Sequence, residues 1–267
     1  MKCICLNCET EFEGNFCSNC GEKVITDKDF SLFQLLGKMF NNLLNFDSKT
    51  LRTLYFFALR PGHLTVSYIK GIRKPYISPF QIFVLTNIFF FLFLSEIDIL
   101  RTPAKWYFMA ENNNGSVLQT VNEMAAIRDI TKAEVAVLYD KQSNFLSKSL
   151  LFLLLPFVAG FVALLNFRKR ILLGKHFIFA VHYFSFMLLM SSFCFIFLEL
   201  LPFQTSKYYF IIPVTVLQLL YFSVAHKKVY QDTWPLTIFK SCIAIFLINF
   251  IIQVYRGLID ALSLATI

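Results

Sequence analysis

The sequence has 267 residues, of which 57% are hydrophobic and only 16% are charged. Soluble domains contain roughly 45–50% apolar and about 25% charged residues, so this much apolar surface cannot be buried in one soluble domain of this size. The composition therefore predicts a membrane protein. Basic residues that flank membrane helices and face anionic lipid explain the net charge of +8.

Two C-x2-C pairs lie within residues 1–25, which we expect to form a zinc ribbon. Cys5 and Cys8 make the first pair, and Cys17 and Cys20 make the second. Four thiolates complete a closed tetrahedral site for Zn2+ with no open position, so the metal is expected to be structural. So short a segment cannot bury a core, and the metal is expected to supply most of its folding free energy.

Disulfides and free thiols are the alternatives for these cysteines. The paired spacing favours a metal site over chance, and the reducing cytoplasm disfavours disulfides. Cys3 is an additional thiol that could replace Cys5, but C-x2-C geometry favours Cys5. Cys194 and Cys242 fall in predicted membrane spans and are expected to pack there.

The charge of the ribbon argues against a nucleic-acid partner. Residues 1–25 carry two lysines and four glutamates, a balance of −2 that metal-bound thiolates make more negative. A phosphate backbone would be repelled. We therefore expect the ribbon to dock an unknown cytosolic protein.

Residues 26–78 are predicted to form a cytosolic or interfacial segment. Apolar residues share one face of an amphipathic helix over residues 30–46. A second helix is expected from Ser48 to about Leu59, ended by the Pro61-Gly62 pair. We favour packing of both helices in the membrane interface or against the helical bundle. A small cytosolic domain is the alternative.

Basic residues lie among several prolines and glycines between Arg60 and Pro79. These prolines and glycines are expected to fix the course of the backbone. Guanidinium groups on a rigid frame suit bidentate recognition of phosphate. Arg60, Arg73 and Lys74 are therefore predicted to bind the phosphate of anionic membrane lipid. The alternative is that they act only as topology signals.

This motif, together with the ribbon ending Cys20-Gly21-Glu22-Lys23, resembles a family of bacterial membrane proteins described only as domain of unknown function 3667. Members carry an N-terminal zinc ribbon and then an R-P-G, Tyr, Gly-x-Arg-Lys-x-Tyr and Pro pattern that leads into several membrane helices. The resemblance covers residues 5–80. Glu9 departs from it, because the first knuckle of such ribbons usually has Gly there. The resemblance implies a fold and a metal rather than an activity.

Residues 79–267 are predicted to form an all-α polytopic membrane domain of about five transmembrane helices. A span needs about twenty predominantly apolar residues. Five stretches of the sequence meet this requirement: residues 79–98, 149–167, 177–201, 208–225 and 235–256. Ser78 is the expected N-cap of the first, and Lys240 in the last is expected to extend toward the membrane surface.

The short basic loops predict the orientation of these spans. Basic residues cluster before the first span, at residues 168–175 and at residues 227–228, and alternation of the spans places all three clusters on one side. The positive-inside rule assigns that side to the cytoplasm. We therefore expect a cytoplasmic N-terminus, and the resemblance to a bacterial family implies that the membrane is the bacterial inner membrane.

The polar segment 101–148 falls on the outer side in this topology. Val117, Val121 and Met124 keep helical spacing, and Thr131 with Glu134 forms a capping-box pattern. A helical hairpin is predicted, with a flexible loop as the alternative.

No catalytic motif is present in the sequence, so an enzyme is not expected. A membrane-anchored adaptor or regulator is favoured. The alternative is a lipid-handling or small-solute transporter, whose path intramembrane polar residues such as His182 and Gln218 would line. There is no inverted repeat, and five spans do not divide into equal halves, so a transporter would require a homo-oligomer. His182 is expected to hydrogen-bond between helices.

Overall fold

A computed structural model describes residues 2–24, 48–93, 100–109, 115–199 and 207–267. The described chain is mostly helical, as predicted. The amphipathic helix predicted over residues 30–46 lies outside the described residues.

Two short strands, β1 (Lys2–Ile4) and β2 (Glu11–Glu13), pair antiparallel near the N-terminus. The α-helices that follow within the described residues are α1 (Ser48–Leu59), α2 (His63–Lys70), α3 (Pro79–Phe93), α4 (Ala104–Tyr107), α5 (Ser116–Arg128), α6 (Lys132–Ser149), α7 (Leu154–Leu165), α8 (Leu173–Glu199), α9 (Lys207–Tyr230) and α10 (Trp234–Thr266). Single 3-10 turns cover Leu151–Leu153 and Phe167–Lys169.

Each of the five stretches that were predicted to cross a membrane contains a helix, although the helices and the stretches end at different residues. Within the described residues, two of them are long and apolar enough to cross: α8 over Leu173–Phe197, and all of α10. The bent pair α6 and α7 would add a third if it forms one span. The last helix extends well past its predicted end near Arg256. Length and composition thus support two or three membrane spans.

Residues 1–93 and 155–247 form one compact unit, here called the first unit, with α8 at its centre. Every residue of α8 from Phe177 to Leu188 is buried, as expected for a helix that is apolar on all sides. Helices α1, α2, α3 and α9 all pack against it. The ring nitrogen Nδ1 of His182 lies 2.9 Å from Oγ1 of Thr65 in α2, so the predicted interhelical hydrogen bond of His182 is confirmed.

The turn between α1 and α2 packs directly on α9. Gly62 in this turn has φ 74°, and a Cβ there would lie 2.9 Å from the carbonyl oxygen of Ala225. Only glycine allows that left-handed conformation and that close approach together. The Tyr221 hydroxyl of α9 donates to the carbonyl oxygen of Phe57 at 3.1 Å. The predicted helix Ser48–Leu59 is thus present and packs against the bundle.

Residues 94–154 and 248–267 form the second unit, which contains the predicted helical hairpin α5–α6. Thr131 and Glu134 make both hydrogen bonds of a capping box at the start of α6, as predicted. Val121 and Tyr139 pack in a core with Leu264. The buried carboxylate of Asp260 accepts hydrogen bonds from the Tyr139 hydroxyl and from a backbone amide, each at 3.0 Å.

Candidate metal centre

The two C-x2-C pairs adopt the same backbone turn. The amide of Glu9 donates to the carbonyl of Cys5, and the amide of Gly21 donates to the carbonyl of Cys17, each at 2.8 Å. Both turns need a left-handed residue, with φ 59° at Glu9 and 66° at Gly21. An L side chain adopts this conformation at a cost of about 1–2 kcal/mol, whereas glycine adopts it freely. The knuckle therefore forms despite Glu9, with some strain there.

These turns bring four sulfur atoms together. The Sγ atoms of Cys5, Cys8, Cys17 and Cys20 all lie within 4.8 Å of one another. The Cys5–Cys20 pair is separated by 3.4 Å and the Cys8–Cys17 pair by 3.6 Å. A tetrahedral zinc ion with Zn–S bonds of about 2.3 Å holds its sulfurs about 3.8 Å apart. The four predicted residues therefore fit a single metal ion.

The thiols lie in a small apolar core of their own, which Cys5 and Cys17 share with Phe12. Burial raises the pKa of Cys5 to about 11. The hydrogen bond between the Cys8 thiol and the Thr10 hydroxyl lowers the pKa of Cys8 to about 6. Because a metal binds thiolates, its binding would release a proton from Cys5 and stabilise a charge that the apolar core disfavours.

Glu22 ties the ribbon to the segment that precedes α3. Its side chain is only 7% exposed, and its Oε2 accepts hydrogen bonds from the backbone amides of Arg73 at 3.1 Å and Lys74 at 2.9 Å. A carboxylate makes hydrogen bonds of this kind stronger than neutral ones. The other acids of the ribbon are exposed: Glu9, Glu11 and Glu13. The ribbon thus uses one acid to dock on its own chain and presents three outward.

The three residues predicted to bind lipid phosphate lie in different surroundings. The guanidinium carbon of Arg73 lies 4.1 Å from the centroid of the Tyr68 ring, and its Nε donates to the Tyr68 carbonyl. Lys74 is exposed, and its Nζ lies beside Gly21 of the ribbon. Arg60 is exposed in the turn that follows α1. Phosphate binding by Arg60, Arg73 and Lys74 stays a prediction.

Direct contacts within the first unit link the three basic clusters. Lys169 Nζ donates to a backbone carbonyl at the end of α9, at 2.5 Å. Lys228 near that end packs against Gly62. His63 follows Gly62, and its Nε2 lies 3.0 Å from the hydroxyl of Tyr76, just before α3. Three clusters that are far apart in the sequence therefore meet at one end of the unit.

A buried polar network at this end was missed by sequence reasoning. The Asp232 carboxylate, in a residue that is 7% exposed, accepts hydrogen bonds from Lys169 and Lys240 at 2.8 Å each. Burial alone would raise the pKa of Asp232, but the hydrogen bonds from the two lysines outweigh it and lower the pKa. Lys240 also donates to Asn166, whose amide contacts His226. The signal available in the sequence was a single acid within a basic loop.

Residues 47–91 match the family described as Protein of unknown function (DUF3667). This portion comprises α1, α2 and most of α3, and it includes the basic motif from which the resemblance was drawn. The match confirms that resemblance for these residues. No curated protein and no solved structure matches the chain.

Proposed function

We propose that the protein is a membrane-anchored adaptor whose structural zinc ribbon docks a cytosolic protein. In this proposal five helices cross the inner membrane of a bacterial cell, and the N-terminus is cytoplasmic. Four cysteines surround the metal position, so a bound zinc ion has no open coordination position for a substrate. The metal would therefore hold the ribbon in shape rather than take part in chemistry.

The observation that carries the proposal is the contact between Glu22 and the amides of Arg73 and Lys74. It attaches the ribbon a few residues before α3, the first predicted span. A fixed attachment of this kind suits a module that presents one surface to a partner. The exposed acids Glu11 and Glu13 lie on that outward surface.

The outward surface combines acidic and apolar side chains. Ile4 of β1 pairs directly with Glu11 of β2 and is exposed. Two further apolar side chains of the ribbon are also exposed: Leu6 and Phe16. Exposed apolar residues beside acids fit a partner segment that is basic and amphipathic.

The orientation rests on the meeting of the three basic clusters at one end of the first unit. Lys and Arg in short loops are retained in the cytoplasm. The Glu22 contact attaches the ribbon to the most N-terminal of these clusters, at Arg73 and Lys74. This arrangement supports a cytoplasmic ribbon.

Site-specific photo-crosslinking in native membranes tests the adaptor proposal. A photoreactive residue in place of Ile4 should capture a cytosolic protein, and the double variant Glu11→Lys, Glu13→Lys should abolish the capture while retaining the metal. A photoreactive residue in place of Ile127, which is exposed in the second unit, serves as the control. Capture that survives the charge reversal, or equal capture from position 127, would contradict the proposal.

A lipid-handling or small-solute transporter is the second candidate function. The buried Gln218 of α9 favours it, because polar groups inside a bundle often mark a transport path. The bond between His182 and Thr65 favours a structural role for His182 instead. Transfer of a fluorescent phospholipid between the leaflets of vesicles that contain the purified protein, abolished by Gln218→Leu in a variant that keeps the wild-type melting temperature, would support transport over the adaptor.

A further inference from the structure

Five side chains form a cluster where α1 meets α2, here called the cationic turn. They come from α1, the turn after it, α2, the segment before α3, and α9: Phe56, Arg60, His63, Tyr76 and Lys228. The glycine of the turn makes the cluster compact. Because Gly62 has no side chain, α9 approaches closely and its Lys228 lies beside the residue that precedes His63.

The imidazole of His63 is held in a fixed position within the cationic turn. Its ring stacks on Phe56, with centroids 4.7 Å apart and planes 22° apart. The Tyr76 hydroxyl lies 3.0 Å from Nε2. Among the described residues, no hydrogen bond reaches the other ring nitrogen, Nδ1. The side chain of His63 is only partly buried, so a ligand can reach it from the surface.

The cluster carries positive charge that no described acid compensates. Arg60 and Lys228 are exposed, and neither forms an ion pair with a described residue. Burial, Lys228 and Arg60 together lower the pKa of His63, which leaves the imidazole neutral at neutral pH. A neutral imidazole still carries one N–H group and can donate one hydrogen bond to an anion.

We propose that the cationic turn is a binding site for a phosphate group, which Arg60 and Lys228 hold by charge and His63 orients through Nδ1. The forked guanidinium matches two phosphate oxygens, and the ammonium group adds a point charge. The phosphate belongs either to the headgroup of an anionic lipid or to a free phosphate ion. The assignment of the phosphate to a lipid headgroup rests on the proposed membrane orientation. The existence of the phosphate site does not depend on that orientation.

This site changes the grouping of the residues that were predicted from the sequence. Arg60 stays in the phosphate site and is joined by Lys228, which lies 168 positions later in the chain. Arg73 stacks on Tyr68, and the amides of Arg73 and Lys74 bind Glu22. The basic motif therefore serves two purposes: Arg60 for phosphate, and Arg73 with Lys74 for attachment of the ribbon.

The test uses the purified full chain in nanodiscs of phosphatidylcholine, with phosphatidic acid or inorganic phosphate as the added probe. Lipid retention is counted by native mass spectrometry, and phosphate binding is followed by the NMR signal of the His63 ring. Arg60→Gln and Lys228→Gln are compared with Lys70→Gln, which removes the same charge from the far end of α2. Zinc content and melting temperature of each variant show that it is folded.

Arg60→Gln and Lys228→Gln should each weaken binding about tenfold, as expected for the loss of one charged contact, and Lys70→Gln should leave it unchanged. If inorganic phosphate does not displace bound phosphatidic acid, the site takes the phosphate of a lipid headgroup. If inorganic phosphate displaces the lipid, the site takes the free ion. Equal weakening in all three variants, or no weakening in Arg60→Gln, would overturn the site. Cross-linking from position 4 would be unaffected by that result, so the adaptor proposal is tested separately.

Discussion

The carboxylate of Glu22 lies 3.1 Å from the backbone nitrogen of Arg73, although 51 positions separate the two residues. Glu22 follows the last cysteine of the ribbon by two residues, so a metal ion held by the four cysteines would fix its position. Arg73 lies a few residues before α3. The fold of the ribbon is therefore coupled to the backbone just before the first predicted span.

Removal of the Glu22 carboxylate should release this backbone. In Glu22→Ala, the amides of Arg73 and Lys74 lose a charged acceptor worth about 1.5–3 kcal/mol, so their hydrogen exchange should become at least about tenfold faster. Glu13→Ala removes an exposed acid from the same ribbon and is the matched control. Hydrogen-exchange mass spectrometry of the peptide around residue 73 measures the effect.

Chelation of the metal should have the same effect as Glu22→Ala on these two amides, since the ribbon then loses the fold that positions Glu22. Chelation in the Glu22→Ala variant should add little. Amides that exchange at one rate in all these states would show that the ribbon is not attached in solution.

The left-handed turns at Glu9 and Gly21 predict opposite effects of two substitutions on zinc binding. Glu9→Gly should relieve the left-handed strain at φ 59°, and Gly21→Ala should introduce it at φ 66°. Each substitution should change the free energy of folding of the ribbon by about 1 kcal/mol. The gain from Glu9→Gly is smaller, because glycine adds flexibility to the unfolded chain. Competition with a chelator should show tighter zinc binding in Glu9→Gly and weaker binding in Gly21→Ala. Shifts in the same direction would refute the shared turn geometry.

Asp232 should be essential to the stability of the first unit. Asp232→Asn leaves the partly buried Lys240 without its counter-ion, and loss of one partner of a buried ion pair costs at most about 3–5 kcal/mol. The double variant Asp232→Asn, Lys240→Met should recover part of this loss. Thermal unfolding in detergent measures both, and Asp129→Asn, at an exposed position, is the control. An Asp232→Asn variant that is as stable as the wild type would contradict the stabilising role of the network.

The pH dependence of this network follows from the lowered pKa of Asp232. A carboxyl whose pKa is lowered by folding contributes its full stability above the pKa of the unfolded state, about 3.9, and loses it as the pH falls through the folded value. The difference in melting temperature between wild type and Asp232→Asn should therefore be constant from about pH 5 to 8 and narrow below about pH 4.

Local patterns predicted the parts of the structure that depend on near neighbours. Three features depend on residues that are close in the sequence: the group of four cysteines, the helix Ser48–Leu59 and the capping box at Thr131. Ser78 likewise caps α3, where its hydroxyl accepts a hydrogen bond from the amide of Gln81. In such cases the spacing of residue types decides the structure.

Contacts between distant segments could not be predicted in this way. The sequence identifies Glu22 as one ribbon acid among four and gives no reason why it alone turns inward. Lys240 was expected to extend to the membrane surface, and the sequence named no partner for it; it pairs with Asp232 because α10 packs this position beside the basic loop. Asp260 binds Tyr139 across 121 positions. These partners depend on tertiary packing, which periodicity does not encode.

The proposed topology can be checked by thiol labelling of intact cells. A cysteine in place of Ile127, which is exposed in the hairpin, should react with a membrane-impermeant maleimide added from outside. A cysteine in place of the exposed Arg168 should react only after the membrane is permeabilised, because basic loops stay in the cytoplasm. Labelling of position 168 from outside, with position 127 reacting only after permeabilisation, would show the opposite orientation, with the ribbon outside the cell.

Metal content of the purified full chain tests the central claim most directly. We expect one zinc ion per chain in the wild type, loss of zinc in Cys5→Ser and Cys17→Ser, and full zinc in Cys3→Ser. Cys3 is the matched control because it is a neighbouring thiol outside the four-sulfur group. Full zinc occupancy in Cys5→Ser or Cys17→Ser, or absence of zinc from the wild type, would contradict the four-thiolate site.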